Sequence, residues 1–107
     1  MKNYKDLLEQ KELILLDGGM GTLLQKHELT LDDFEGCDGL NEVLNLTHPE
    51  IIKAIHTEYL SAGAMGIETN SFGGSRIKLS EYGRGPDVQR INETAARLAK
   101  EAIAGFD

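Results

Sequence analysis

An aspartate and three glycines directly follow a short apolar run near the start of the sequence. The run is LILL at residues 13–16, the acid is Asp17, and the glycines after it are Gly18, Gly19 and Gly21. A carboxylate can accept hydrogen bonds from an ammonium group, and a glycine-rich turn can offer backbone N–H groups to an anion. This stretch is therefore the first candidate for a binding loop.

Both common nucleotide-binding patterns fit the glycines poorly. Gly19 and Gly21 begin the dinucleotide pattern G-x-G-x-x-G, but Leu24 stands at its third glycine position. No lysine follows at the spacing that a P-loop requires. The residues leave two interpretations open. Either the backbone from Gly18 to Thr22, which includes Met20, holds a small anionic group such as a carboxylate, or the glycines only permit a tight turn.

A second apolar run also ends in polar side chains, as the first one ends in Asp17. Residues 65–69 lead to Glu68 and Asn70, which are two positions apart and so share one face of an extended segment, and a second glycine-rich loop follows. Ligands of parallel α/β folds bind at the carboxyl ends of the strands. We therefore predict one site built from Asp17, Glu68 and Asn70. The alternative is that Glu68 is a core acid paired with a lysine or arginine.

The sequence offers little for metal binding or nucleophilic catalysis. His27, His48 and His56 have no metal-ligand spacing, and we predict that His56 lies on the exposed side of a helix. Cys37 stands alone between a glycine and an aspartate, which is more typical of a bystander than of a ligand. We predict that this chain has no catalytic residue and no metal ligand.

Around these loops the pattern predicts an α/β fold with parallel strands. Helix, strand, glycine loop, helix, strand, glycine loop and helix follow one another, and such alternation favours parallel pairing with right-handed crossovers. A first short helix is expected over residues 4–11, and strands over 13–17 and 65–69. Residues 28–46 are expected to be mostly loop. "RIKLSEY" indicates one more short helix before the breaker "GRGP".

Two longer helices have clearer signals. Thr47 and Glu50 have the spacing of a capping box, and Gly63 suits a C-terminal stop. Between them runs an apolar stripe at helical spacing: Ile51, Ile52, Ile55, Tyr59 and Leu60. The last helix, from about 87 to 104, has its own stripe: Ile91, Ala95, Leu98, Ala102 and Phe106. We expect both stripes to face a core.

Composition excludes several classes of protein. The 107 residues carry 11 basic and 18 acidic side chains, a net charge of −7, which is unsuited to binding nucleic acid. No apolar run approaches the roughly 18 residues that span a bilayer, and the polar N-terminus is not a secretory signal. One cysteine excludes an internal disulfide framework. These features predict a cytoplasmic protein without a membrane partner.

Three segments in order resemble the homocysteine S-methyltransferase family, most closely its cobalamin-dependent members. They are "DGGMGT", "NEVLNLTHPEIIKAIHTEYLSAGAMGIETNSFGG" and "INETAARLAKEA". The resemblance covers residues 5 to 104 and implies that 1–107 is an incomplete domain, holding the first two βα units of a (β/α)₈ TIM barrel. Two strands cannot close a core, so we expect this chain either to self-associate through sheet edges and helix faces or to remain partly unfolded.

The resemblance also implies an activity. Members of the family transfer a methyl group to the zinc-activated thiol of homocysteine, giving methionine. By that likeness, Asp17 and the backbone from Gly18 to Thr22 would hold the amino-acid end of homocysteine, and Glu68 and Asn70 would complete the second strand's share of the pocket. The zinc ligands would lie outside this chain, and methyl-cobalamin would carry the methyl group. The alternative is a non-catalytic, self-associating chain with no activity of its own.

Overall fold

The computed structural model describes residues 4–10 and 13–106 and is built from helices. Residue 11, the end of the first predicted helix, lies outside that part of the chain. The α-helices are α1 (Tyr4–Gln10), α2 (Met20–Leu24), α3 (Leu44–Thr47), α4 (Pro49–Ser61), α5 (Arg76–Glu81) and α6 (Val88–Phe106). Two 3₁₀ helices, Asn41–Val43 and Gly85–Asp87, lead into α3 and α6. None of the described helices is long and apolar enough to cross a bilayer.

The prediction of two parallel βα units of a TIM barrel is wrong. The described residues contain no strand, and the β-pairing between the two segments expected to be strands is limited to an isolated parallel bridge between Leu16 and Gly66. Parallel strands need both faces covered. Here Leu13, Leu15 and Leu16 are 76%, 51% and 47% exposed. The burial that would stabilise a strand is therefore missing, and a single bridge is what remains.

The two long helices form as predicted and pack against each other. In α4 the buried side chains include Ile52, Ile55 and Leu60, and in α6 they include Ile91, Ala95, Leu98 and Ala102. Phe106 was expected on the same stripe but is 44% exposed. One core cluster joins Leu24, Leu44, Ile52, Ile55 and Leu98, and a second joins Cys37, Leu40, Val43, Leu79 and Ile91.

The ends of α4 differ in how well the sequence predicted them. At the C-terminus Gly63 has φ of +110°, its N–H donates to the Leu60 carbonyl, and the Ala64 N–H donates to the Tyr59 carbonyl. This is a Schellman stop, as expected. The predicted capping box is wrong, because the Thr47 hydroxyl donates instead to the Asp33 carbonyl at 2.9 Å. His48 is the N-cap residue, and it has no side-chain capping bond.

Three polar contacts, one buried and two partly buried, fix the second glycine-rich loop, residues 70–74, to the helices. Residues 28–46, expected to be mostly loop, contain the 3₁₀ helix and the start of α3 that supply Glu42 and Asn45 to these contacts. Ser75 then caps α5, since its hydroxyl accepts from the Lys78 N–H at 3.1 Å. The short helix expected from "RIKLSEY" is confirmed.

Candidate functional site

Most of the predicted site residues line one cleft, here called the Asp17 cleft. It lies between residues 17–20 and residues 68–72 and has a volume of about 240 Å³. Of the eight predicted residues, six border it: Asp17, Gly18, Gly19, Met20, Glu68 and Asn70. Gly21 and Thr22, the next two residues of α2 after Met20, do not border it. The two segments that the sequence paired are thus brought together, although not by a sheet.

Asp17 connects the two sides of this cleft. Its backbone N–H donates to the Gly66 carbonyl at 3.0 Å, and its Oδ2 accepts from the Glu68 N–H at 3.0 Å. Within the described part of the chain, the other carboxylate oxygen, Oδ1, has no hydrogen-bond partner. The Glu68 side chain is exposed, so it is not the paired core acid of the alternative interpretation. Two acidic residues, Asp17 and Glu68, therefore border the cleft, which suits a cationic group.

The glycines of the first loop make room for Tyr59 of α4. The Tyr59 hydroxyl donates to the Gly19 carbonyl at 2.7 Å. A Cβ on Gly18 would lie 3.0 Å from that hydroxyl oxygen and 3.4 Å from a ring carbon, whereas a Cβ on Gly19 would meet nothing closer than 3.7 Å. Close packing thus explains Gly18. The N–H groups of Gly18 and Gly19 meet no acceptor among the described residues, so they remain available to an anion.

Asn70 is buried in the wall of the cleft. Its Nδ2 donates to the Asn41 carbonyl at 3.0 Å and to Asn45 Oδ1 at 2.9 Å. Asn45 Nδ2 returns a bond to the Asn70 carbonyl at 3.0 Å. The amide NH₂ of Asn70 is therefore used inside the protein, and only its Oδ1 is left for another donor.

Glu42 is a buried acid that the sequence analysis missed. It is 6% exposed, and its Oε2 accepts from the Gly73 N–H at 2.9 Å. It borders a neighbouring cleft of about 350 Å³, here called the Glu42 cleft, which shares Met20, Asn70 and Phe72 with the Asp17 cleft. One sequence feature could have indicated its burial: Asn41, Glu42 and Asn45 lie directly before and within an apolar helical segment.

His56 was predicted to be exposed, and that prediction is wrong. The side chain is fully buried in α4, and neither ring nitrogen has a hydrogen-bond partner in the described structure. Burial lowers the pKa of His56 below its usual value, and the negative charge of Asp17 opposes that shift. His56 is therefore neutral at pH 7. Its spacing of four from both Ile52 and Leu60 could have placed it on the buried stripe.

The described residues do not fit a zinc site. Across residues 4–10 and 13–106, no three His, Cys, Asp or Glu side chains are grouped as metal ligands would be. Cys37 is buried in a core cluster, with its Sγ 3.8 Å from the Glu35 carbonyl oxygen. His48 instead bonds to two carboxylates, Asp33 at 2.8 Å and Glu50 at 3.3 Å.

Comparison with known proteins identifies the family. The sequence model described as homocysteine S-methyltransferase matches residues 14–107. The methionine synthase of Mycobacterium tuberculosis is 40% identical over 95 residues, and that of Mycobacterium leprae is 41% identical over 97. Each alignment covers 89% of this chain but only 8% of the relative, so the chain spans about a twelfth of those proteins. The chain belongs to the homocysteine S-methyltransferase family.

Proposed function

We propose that this chain forms part of the homocysteine-binding pocket of a methyltransferase of the methionine synthase type. Such an enzyme transfers a methyl group to the thiol of homocysteine and gives methionine. The chain's share of the work is to bind the amino-acid end of homocysteine in the Asp17 cleft. The observation that carries this proposal is the position of Asp17, whose anchored carboxylate keeps one oxygen free at the cleft.

The charges of the cleft match those of an amino acid. Asp17 Oδ1 and the exposed Glu68 carboxylate accept hydrogen bonds from the ammonium group. The N–H groups of Gly18 and Gly19 donate to the α-carboxylate, as bare loop backbone does for other anions. Met20 and Phe72 border the same cleft and offer apolar contact to the methylene groups. This arrangement positions the substrate, which is a large part of what such a site contributes to catalysis.

The described residues carry no group that would activate the thiol or deliver the methyl group. The resemblance implies zinc and methyl-cobalamin for a complete enzyme. Because the described residues do not fit a zinc site, the proposal gives them no metal-binding role. We propose that this chain binds substrate and has no methyl-transfer activity of its own.

A titration of the isotope-labelled chain with L-homocysteine tests this assignment. Backbone amide signals of residues 17–20 and 68–72 should shift together and saturate. L-Homoserine should bind similarly, because it presents the same amino-acid end without the thiol. N-Acetyl-homocysteine, which has lost its ammonium charge, should bind at least tenfold more weakly, since hydrogen bonds to charged groups contribute roughly 1.5–3 kcal/mol.

Two results would count against the assignment. Equal binding of N-acetyl-homocysteine would show that the carboxylates do not recognise the ammonium group. Shifts confined to residues outside the two loops would place the ligand elsewhere. A second candidate, a self-associating chain without activity, is supported by the exposed leucines of residues 13–16 and has its own test below.

A further inference from the structure

Polar side chains from helical segments hold the backbone of loop 70–74 at three points. Glu42 Oε2 accepts from the Gly73 N–H at 2.9 Å. Asn45 Nδ2 donates to the Asn70 carbonyl at 3.0 Å, and Asn92 Nδ2 donates to the Gly74 carbonyl at 2.8 Å. The loop is therefore attached to the region before α4 and to α6 by side chains rather than by a sheet.

The Asn45 contact is buried, and the Glu42 and Asn92 contacts are partly buried. Glu42 is 6% exposed and Asn45 is 1% exposed. Buried polar groups are costly unless they are hydrogen-bonded, so each bond here is expensive to break. Asn45 also donates to the Ile91 carbonyl of α6 at 3.2 Å, and one amide thus bridges the loop and the helix.

Besides these contacts, the loop is held by the Asn70 side chain, which donates to the Asn41 carbonyl and to Asn45 Oδ1. Its side chain at the tip, Phe72, is fully exposed and packs against no core. The glycines allow the helices to approach, because a Cβ on Gly73 would lie 2.8 Å from Glu42 Oε1 and one on Gly74 would lie 2.7 Å from Asn92 Oδ1. The position of this loop therefore depends on the polar contacts.

We propose that Glu42 and Asn45 are positioning residues of the Asp17 cleft. They hold the loop whose residues 70–72 form one wall of that cleft. Ligand affinity depends on them through the loop, without direct contact. The predicted effect on homocysteine affinity rests on the proposed function, whereas the predicted effect on the position of the loop does not.

The test compares Glu42→Ala with Glu42→Gln and Asn45→Ala in the 107-residue chain. Hydrogen exchange of the Gly73 amide, measured without ligand, reports the loop directly. Glu42→Ala should speed that exchange at least tenfold, and Glu42→Gln, which keeps an acceptor oxygen, should restore most of the protection. The dissociation constant for L-homocysteine should rise about tenfold in Glu42→Ala and Asn45→Ala and less than threefold in Glu42→Gln.

Two controls separate positioning from a general loss of stability. Ile55→Val weakens the core at a residue that takes part in none of these polar contacts, so the ratio of Gly73 exchange to global unfolding should stay unchanged. Glu28→Ala removes an exposed acid outside both clefts.

Unchanged Gly73 exchange in Glu42→Ala would overturn the proposal, as would faster exchange with unchanged homocysteine affinity. Failure of the unmodified chain to bind homocysteine would reject the proposed function, and Gly73 exchange would still decide whether Glu42 holds the loop.

Discussion

The Asp17 carboxylate accepts a hydrogen bond from the Glu68 backbone N–H at 3.0 Å, across 51 positions of sequence. This bond joins the two loops of the cleft directly, next to the bridge between Leu16 and Gly66. Oδ2 is used for that structural contact, and Oδ1 is left at the cleft. Asp17 can thus have a structural and a binding role at once.

Asp17→Asn separates those two roles. The amide oxygen of asparagine can still accept from the Glu68 N–H, so the melting temperature should hardly change. The negative charge is lost, and we expect homocysteine affinity to fall by tenfold or more, because charge-assisted hydrogen bonds contribute roughly 1.5–3 kcal/mol. Asp32→Asn, at an exposed site outside the cleft, is the matched control. Affinity within twofold of the unmodified chain, with equal stability, would leave Asp17 only its structural role, the hydrogen bond to the Glu68 N–H.

Gly18→Ala should destabilise the chain while Gly19→Ala should not. The added methyl on Gly18 would lie 3.0 Å from the Tyr59 hydroxyl and would push it away from the Gly19 carbonyl. We expect a loss of about 1–2 kcal/mol in the free energy of unfolding, from overpacking and the weakened hydrogen bond. The Gly19 methyl has ordinary space, and φ of −65° suits alanine.

Urea denaturation of both variants measures this difference. In a Tyr59→Phe background the hydroxyl is absent, so Gly18→Ala should cost less there. An equal loss in the free energy of unfolding in both backgrounds would mean that Gly18 is needed for its own backbone conformation and not for the close approach of Tyr59.

The helices could be predicted from sequence because their signals are local. The stripes of α4 and α6 and the stop at Gly63 depend on residues within a few turns. The strands could not, because an extended segment is stabilised by neighbours that pair with it and cover it. Leu15 offers its carbonyl to Met65 and Gly66, yet its side chain stays half exposed.

The sequence likewise indicated the residues of the candidate site that have local signals, and it missed the others. Asp17 and Glu68 stand beside glycines, a local pattern that can be read directly. Glu42 and His56 sit among apolar residues, where counting only apolar side chains assigns no role to a polar one. Their burial depends on what packs against them, which a single sequence does not state.

His56 should make the chain less stable in mild acid. Burial lowers the pKa of His56 in the folded chain below 6.5. Well above pH 6.5 the ring is therefore neutral in both the folded and the unfolded chain, and its titration does not reduce the free energy of unfolding. As the pH falls below 6.5, the unfolded chain takes up the proton first and the free energy of unfolding decreases, at most by about 1.4 kcal/mol per pH unit. His56→Leu should remove this slope between pH 6.5 and 5. An unchanged slope would assign the acid sensitivity to other groups.

His48 should act in the opposite direction. Its hydrogen bond to Asp33 raises the pKa of His48, with Glu50 adding to the effect. The stabilisation is therefore complete below pH 6.5 and is lost as the pH rises through the folded-state pKa. Thermal melts between pH 6 and 9 should show a decline that His48→Gln abolishes. His27→Gln, at a histidine with no carboxylate contact among the described residues, serves as the control and should leave the decline in place.

Self-association is expected through the segment that was predicted to be a strand. Leu13, Leu15 and Leu16 are about half exposed or more, and the only β-bridge of the described residues is the one at Leu16, so most backbone groups of residues 13–16 form an open edge. Open edges pair with other chains, and contiguous apolar surface drives association. We expect sedimentation analysis at micromolar concentration to show oligomers, and the net charge of −7 should make them grow with added salt.

Leu13→Lys and Leu15→Lys should shift the chain to monomers, because each places a charge on the apolar segment where a partner would pack. Ile77→Lys is the matched control, since Ile77 is 80% exposed on α5 and lies on a different element. A fully monomeric unmodified chain would refute the expectation. Oligomers that persist in the Leu13 and Leu15 variants but dissolve with Ile77→Lys would move the interface to α5, because the charge would then disrupt packing at that helix instead of at the open edge.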